Sequence, residues 1–152
     1  LLLNLKELMT RINLVPPAEL MDQHLFAEYR EIRRVPSALA KSLQSKTPAQ
    51  VQNKIPKVFC LGTGHVYFFY NKLPYLADRY QALCYELTTR GFNFDRTASF
   101  DKNNITPSVA TWQIPFVPTS TDYAVIRARL LERIAKQPTW YKHTGQISFS
   151  KQ

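Results

Sequence analysis

The chain has 152 residues, enough for one domain with its own core and no need of disulfide or metal staples. Twenty Lys and Arg against eleven Asp and Glu leave a formal net charge of +9, which favours a polyanionic partner, nucleic acid ahead of an anionic membrane surface. No apolar run approaches the roughly 20 residues that span a bilayer, so a membrane protein is not expected.

Leu1 to Leu8 is too short for a signal peptide and has no basic start or small-residue cleavage site, so the expected location is the cytoplasm. Met9-Thr10-Arg11-Ile12-Asn13-Leu14 follows. Removing an initiator methionine before a threonine leaves a free α-amine, a potential nucleophile, whereas the residues before Met9 bury that nitrogen in a peptide bond. Pro16-Pro17 stops any early helix. From Asp22 the spacing of Leu25, Tyr29 and Ile32 predicts an amphipathic helix, kinked near Pro36 and resuming at Ala38. Thr47-Pro48 and Ile55-Pro56 mark a connection with room for a short helical turn. Val58 to Tyr70 is β-branched and aromatic, which favours a strand, with buried irregular chain as the alternative.

Lys72 to Arg90 carries Leu73, Leu76, Tyr80, Leu83 and Leu87 at helical spacing, with Gly91 placed to end the helix. Phe92 to Pro118 reads as a long surface connection pinned by Phe94, Phe100, Trp112 and Phe116. Thr119-Ser120-Thr121-Asp122 offers caps for a third helix through Lys136, with Tyr123, Ile126, Leu130 and Ile134 on its apolar side. Pro138 ends it. The expected fold is all-α, a compact single domain of three main helices with an extended N-terminal segment, long loops and an aromatic C-terminal tail.

Cys60 and Cys84 lie in apolar settings and read as buried free thiols rather than a disulfide. With His24, His65 and His143 they form no closely spaced ligand pairs, so no metal or other cofactor is implied. Gly62-Thr63-Gly64-His65 reads as a turn rather than a phosphate loop, because no third glycine or Lys-Ser/Thr follows.

On the first helix Gln23, Ala27, Arg30 and Arg34 form a face opposite the apolar stripe, with Glu31 beside Arg30. On the third, Arg129, Arg133 and Lys136 repeat that spacing, flanked by Arg127. Guanidinium forks suit phosphate oxygens, and two such faces favour DNA or RNA. For either helix alone the bland alternative is a solvated face in which Glu28 or Glu132 pairs with its neighbours. Pro138-Thr139-Trp140-Tyr141-Lys142-His143 interleaves aromatics with cations. It suits stacking on bases, or equally docking onto the core. His24 is a candidate for phosphate contact or proton transfer, set against a purely structural role. Cations around Glu31 keep it ionised, ready to stabilise a developing cation or shuttle a proton.

Met9-Thr10-Arg11-Ile12-Asn13-Leu14, Asp22-Gln23-His24-Leu25, Ala27-Glu28-Tyr29-Arg30-Glu31 and Pro138-Thr139-Trp140-Tyr141-Lys142 together closely resemble the viral pyrimidine-dimer DNA glycosylase/AP lyase family, the endonuclease V type. Gly62, Gly64-His65-Val66, Phe68-Phe69-Tyr70, Lys72-Leu73, Arg90-Gly91-Phe92 and Ala128-Arg129-Leu130 extend the resemblance from Thr10 to about Gly145. It implies a monomeric base-excision repair enzyme that binds ultraviolet-damaged duplex DNA, kinks it and flips out a base opposite the dimer. By the same resemblance the Thr10 α-amine attacks C1′ at the 5′ pyrimidine and forms an imine, and elimination then cuts the strand. Glu31 stabilises the cationic intermediate and assists proton transfer. Arg11, Arg30 and Arg34 hold phosphates around the lesion. Arg129 and Arg133 contact the backbone, and Gln23 and His24 belong to the same DNA-binding set. Trp140, Tyr141 and Lys142 match the aromatic tail, while His143 and Thr144 depart from the family's tyrosines.

An α-amine has a reference pKa of about 7.7–8.0, and nearby arginines push it lower, raising its nucleophilic fraction. With residues 1–9 retained, the first free amine lies up to about 30 Å along the chain from Thr10, too far for a fixed site. The expected organisation is therefore an extension over 1–9 absent from the active species, a glycosylase domain over 10–146 and a tail over 147–152. The competing class is a noncatalytic DNA-binding module, expected if the extension is retained.

Overall fold

A computed structural model of the chain describes residues 12–96, 100 and 110–146. Thr10 and Arg11 lie outside the described residues, as do the 1–9 extension and the 147–152 tail. The described fold is helical: α1 (Asp22–Ile32), α2 (Arg34–Ser45), α3 (Pro48–Gln52), α4 (Gly64–Phe68), α5 (Leu73–Thr89) and α6 (Ser120–Lys136). Short 3₁₀ turns stand at Pro17–Glu19, Phe69–Asn71, Ala110–Trp112 and Thr144–Gln146.

The bend expected at Pro36 is instead a break at Arg33, which separates α1 from α2. A proline ring clashes with the carbonyl four residues earlier, here Ile32, so the ladder has to open before Pro36 arrives. Pro36 then occupies the first turn of α2, where its missing N–H costs nothing. Val58 to Tyr70 is not a strand. It forms α4 and a 3₁₀ turn, burying Phe68, Phe69 and Tyr70. Phe69 packs edge-on to Phe59, Phe68 and Phe116, so the aromatics that suggested a strand serve a helical core.

The other helices follow the predicted stripes. Leu25, Tyr29 and Ile32 of α1 are buried, as are Leu76, Tyr80, Leu83 and Leu87 of α5, with Tyr29 stacked on Tyr80 at 5.8 Å. Gly91 (φ 81) ends α5: its N–H reaches Thr88 O and the Phe92 N–H reaches Leu87 O, a Schellman closure. Thr119 and Asp122 cap α6 reciprocally. Among the described residues of the 92–118 connection, Phe100 and Trp112 are buried, and Phe94 and Phe116 pack against the core. Cys60 and Cys84 are free thiols, each half-buried rather than fully buried. No helix among the described residues is long and apolar enough to cross a membrane.

Candidate active site

The N-terminal segment is buried and held at three points. The Ile12 N–H donates to His65 Nε2 at 2.8 Å. His65 Nδ1 therefore carries the ring proton and donates to the Cys60 carbonyl at 2.9 Å. The turn glycines allow this: Gly62 adopts φ 80, and a Cβ on Gly64 would meet Cys60 Sγ at 2.9 Å. His65 is thus an anchor for the segment rather than part of a phosphate loop.

The second and third points are the two ends of a buried ion pair. Arg79 of α5 grips Glu28 of α1 bidentately, Nε to Oε2 at 2.7 Å and Nη2 to Oε1 at 3.0 Å. Glu28 also accepts from the Asn13 N–H at 3.2 Å and from Asn13 Nδ2 at 2.9 Å. Arg79 Nη1 donates to the carbonyls of Leu14 and Val15. Burial works against the charge of Arg79, but the Glu28 carboxylate outweighs it and holds the guanidinium above its ordinary range. Leu14 sits at φ 57, and the Val15 N–H closes back onto Asn13 O, the rarer form of γ-turn. That strain is sustained because the Leu14 and Val15 carbonyls are both fixed to Arg79. Glu28, which the bland alternative pairs with neighbours on a solvated face, is fully buried.

Beside this anchor lies a recess of about 30 Å³. It is lined by Asn13, by His24, Ala27, Glu28 and Glu31 of α1, and by Leu130 and Arg133 of α6. Glu31 is 14% exposed at its side chain and pairs with Arg34 Nη1 at 3.0 Å, while Arg34 is 58% exposed. A shielded carboxylate therefore faces the recess with one arginine at its rim and a second across it.

The family model described as pyrimidine dimer DNA glycosylase matches residues 9–100. The chain belongs to that family. It is a DNA glycosylase, and its substrate is DNA. The matched span contains Thr10, Glu31 and the Glu28–Arg79 pair, whereas α6 and the tail lie beyond it.

In this glycosylase the structure draws the sequence-predicted residues into two groups. Glu31, His24 and Arg133 share the recess, although Arg133 comes from the third predicted helix. Arg30 of α1 and Arg34 at the start of α2 are both exposed, and Arg129, one turn before Arg133, is half-buried. The second group is the tail. Gln23 Nε2 donates to Trp140 O at 2.6 Å and Gln23 Oε1 accepts from the Lys142 N–H at 3.1 Å, so both ends of its amide bind tail backbone. Tyr141 stacks on His24 at 4.6 Å. Trp140 stays 54% exposed beside exposed Lys142. The tail thus both docks and presents an aromatic.

Asp22 secures this docking. Its N–H donates to Lys142 O at 2.7 Å, and its carboxylate accepts from Arg90 Nη1 and from the Thr144 N–H and hydroxyl. Burial pushes the Asp22 carboxyl up, but the Thr144 hydrogen bonds and the Arg90 charge overcome it and hold it below its usual range. His143 Nε2 lies 2.6 Å from Ala18 O, so His143 and Thr144 both serve the clamp. Arg127 is engaged elsewhere, forked onto Glu19 at 2.9 and 3.1 Å, and does not join the cationic face of α6.

Glu28 and Arg79 were missed by reading the sequence for solvated faces. Their signal was present, since both interrupt apolar stripes, Glu28 between Leu25 and Ile32 and Arg79 between Leu76 and Leu83. One charge of each sign at core positions of two helices points to a buried pair.

Proposed function

We propose that this glycosylase acts on cyclobutane pyrimidine dimers in duplex DNA through an imine formed by the Thr10 α-amine, and that it then cuts the strand as an AP lyase. The observation that carries this is the anchored N-terminal segment beside Glu31. Ile12 is tied to His65 and Asn13 to Glu28, and Asn13 lines the same recess as Glu31. The covalent chain keeps the Thr10 nitrogen within roughly 7 Å of the Ile12 nitrogen. An amine on so short a tether has an effective concentration that a mobile lysine lacks.

The amine attacks C1′ of the 5′ pyrimidine nucleotide, the glycosidic bond breaks, and the base leaves with the bonding electrons. Glu31 stabilises the cationic sugar and takes protons. The sugar ring opens at the C1′–O4′ bond to give the imine, O4′ taking a proton, and loss of a C2′ proton from that imine then breaks the C3′–O bond and cuts the strand. An amide nitrogen cannot form the imine, so the active species begins at Thr10. Arg30, Arg34, Arg129, Arg133 and Lys142 hold phosphates, with Arg11 joining them. Trp140 offers a stacking face, and Gln23, His24 and Tyr141 contribute by fixing the tail as well as by contacting DNA. The enzyme works as a monomer.

Borohydride trapping on dimer-containing duplex tests this. A covalent adduct mapped to the Thr10 amine is expected, and no adduct from protein confirmed by intact mass to begin at Thr10 would leave only a DNA-binding module. Glu31→Gln is expected to bind the duplex and lose cleavage, and retained cleavage would remove Glu31 from its role.

A further inference from the structure

Asn13, which lines the Glu31 recess, carries a side-chain polar atom with no hydrogen-bond partner among the described residues. Asn13 is 4% exposed. Chemistry settles the orientation of its amide: the end facing Glu28 Oε1 at 2.9 Å is the NH2 group, because a carboxylate forked onto Arg79 accepts hydrogen bonds and does not donate them. The other end, Oδ1, is then a buried acceptor with no hydrogen-bond partner among the described residues. Asn13 is not free to turn away, since its backbone N–H also donates to Glu28 and the next residue is the strained Leu14. Buried acceptors are almost always satisfied, so one held rigidly against an opening marks a place for a donor.

The opening limits what that donor is. About 30 Å³ holds one or two water molecules and no nucleobase. A water there meets two acceptors, Asn13 Oδ1 and the Glu31 carboxylate, which take its two protons and leave an oxygen lone pair directed outward. Ala27 and Leu130 supply apolar wall. We propose that Asn13 is a positioning residue that holds this water against Glu31, and that the water hydrolyses the imine to release the product.

The assignment rests on the imine chemistry proposed above. The water oxygen adds to C1′ of the protonated imine as Glu31 accepts a proton, which Glu31 returns to nitrogen. The C1′–N bond then breaks and the sugar leaves as an aldehyde. Both protons of the water finish on the Thr10 amine, released as an ammonium group, so atoms and charge balance.

Two measurements test it. A high-resolution crystal structure of the protein beginning at Thr10 is expected to show an ordered water within hydrogen-bond distance of both Asn13 Oδ1 and Glu31. An empty recess, or one filled by the Thr10 amine, overturns the assignment, and this measurement needs no variant to fold. In single-turnover reactions on dimer-containing duplex, Asn13→Ala is expected to form the trappable adduct and to release product more slowly by about a hundredfold, the lower end of what a positioned proton carrier contributes. The adduct therefore accumulates. Release at the wild-type rate, or formation and release slowed in parallel as a merely structural role predicts, overturns the assignment and leaves the imine chemistry standing. Absence of adduct in the wild-type protein defeats the imine chemistry itself.

Discussion

At the scale of single residues, the Glu28–Arg79 pair decides where the N-terminal segment goes. Arg79→Met leaves a buried carboxylate without its counter-ion and releases the Leu14 and Val15 carbonyls. The expected loss is about 3–5 kcal/mol in urea denaturation, with little recovered by Arg79→Lys because an ammonium cannot reproduce the fork. Lys72 is a further buried cation. Burial brings it down from an ordinary 10.5 to about 8, while Nζ donates to Phe68 O and Asn71 Oδ1. Between those two values the unfolded chain binds the extra proton, so the Lys72 contribution to stability rises with pH and is lost as pH falls through about 8. Cys84, Tyr75 and Tyr80, all pushed up by burial, work the opposite way from about pH 9 upward. The difference in unfolding free energy between wild type and Lys72→Met, followed from pH 7 to 10, isolates Lys72. It should grow in favour of the wild type above about pH 8. Neither residue was recognised from the sequence, although each places a charge in an apolar stretch, because burial of a charge depends on which carbonyls and carboxylates arrive from elsewhere.

At the scale of elements, local chemistry accounts for most boundaries. Gly91 has φ 81, and nothing lies within 4 Å of where a Cβ would stand, so Gly91→Ala pays only for backbone conformation. About 1 kcal/mol of destabilisation is expected by thermal or urea melting, and a neutral result would mean that the Schellman closure contributes nothing. The caps at Thr119 and Gly91 and the stripes of α1, α5 and α6 were legible because each depends on residues within one or two turns. The break at Arg33 lies three residues before Pro36, since the carbonyl a proline displaces lies upstream of it. Val58 to Tyr70 departs from the strand its composition suggests for a different reason. β-Branched and aromatic composition records a demand for burial, which two short helical turns meet as well as a strand does.

For the whole molecule, the site exists only where three distant parts meet: the segment at Asn13, α1 at Glu31 and α6 at Arg133. Arg133 of α6 shares this recess with Glu31 of α1, and in the function proposed above the cations around both helices bind phosphate. Arg30→Ala and Arg129→Ala are each expected to reduce the salt dependence of DNA binding by roughly one unit of slope, and unchanged slopes would remove these faces from the interface. The sequence by itself determined the helical class, the periodic core, the basic character and the family, because composition, spacing and ordered motifs are properties of the chain as written. Tertiary structure alone decided that Glu28 is buried and Glu31 shielded at the recess, that Gln23 and His24 hold the tail, and that Asn13 Oδ1 is a buried acceptor without a partner among the described residues. A charge or an amide takes its chemistry from the dielectric and the partners around it, and for Glu28 and Gln23 those partners include residues 51 and 117 positions away.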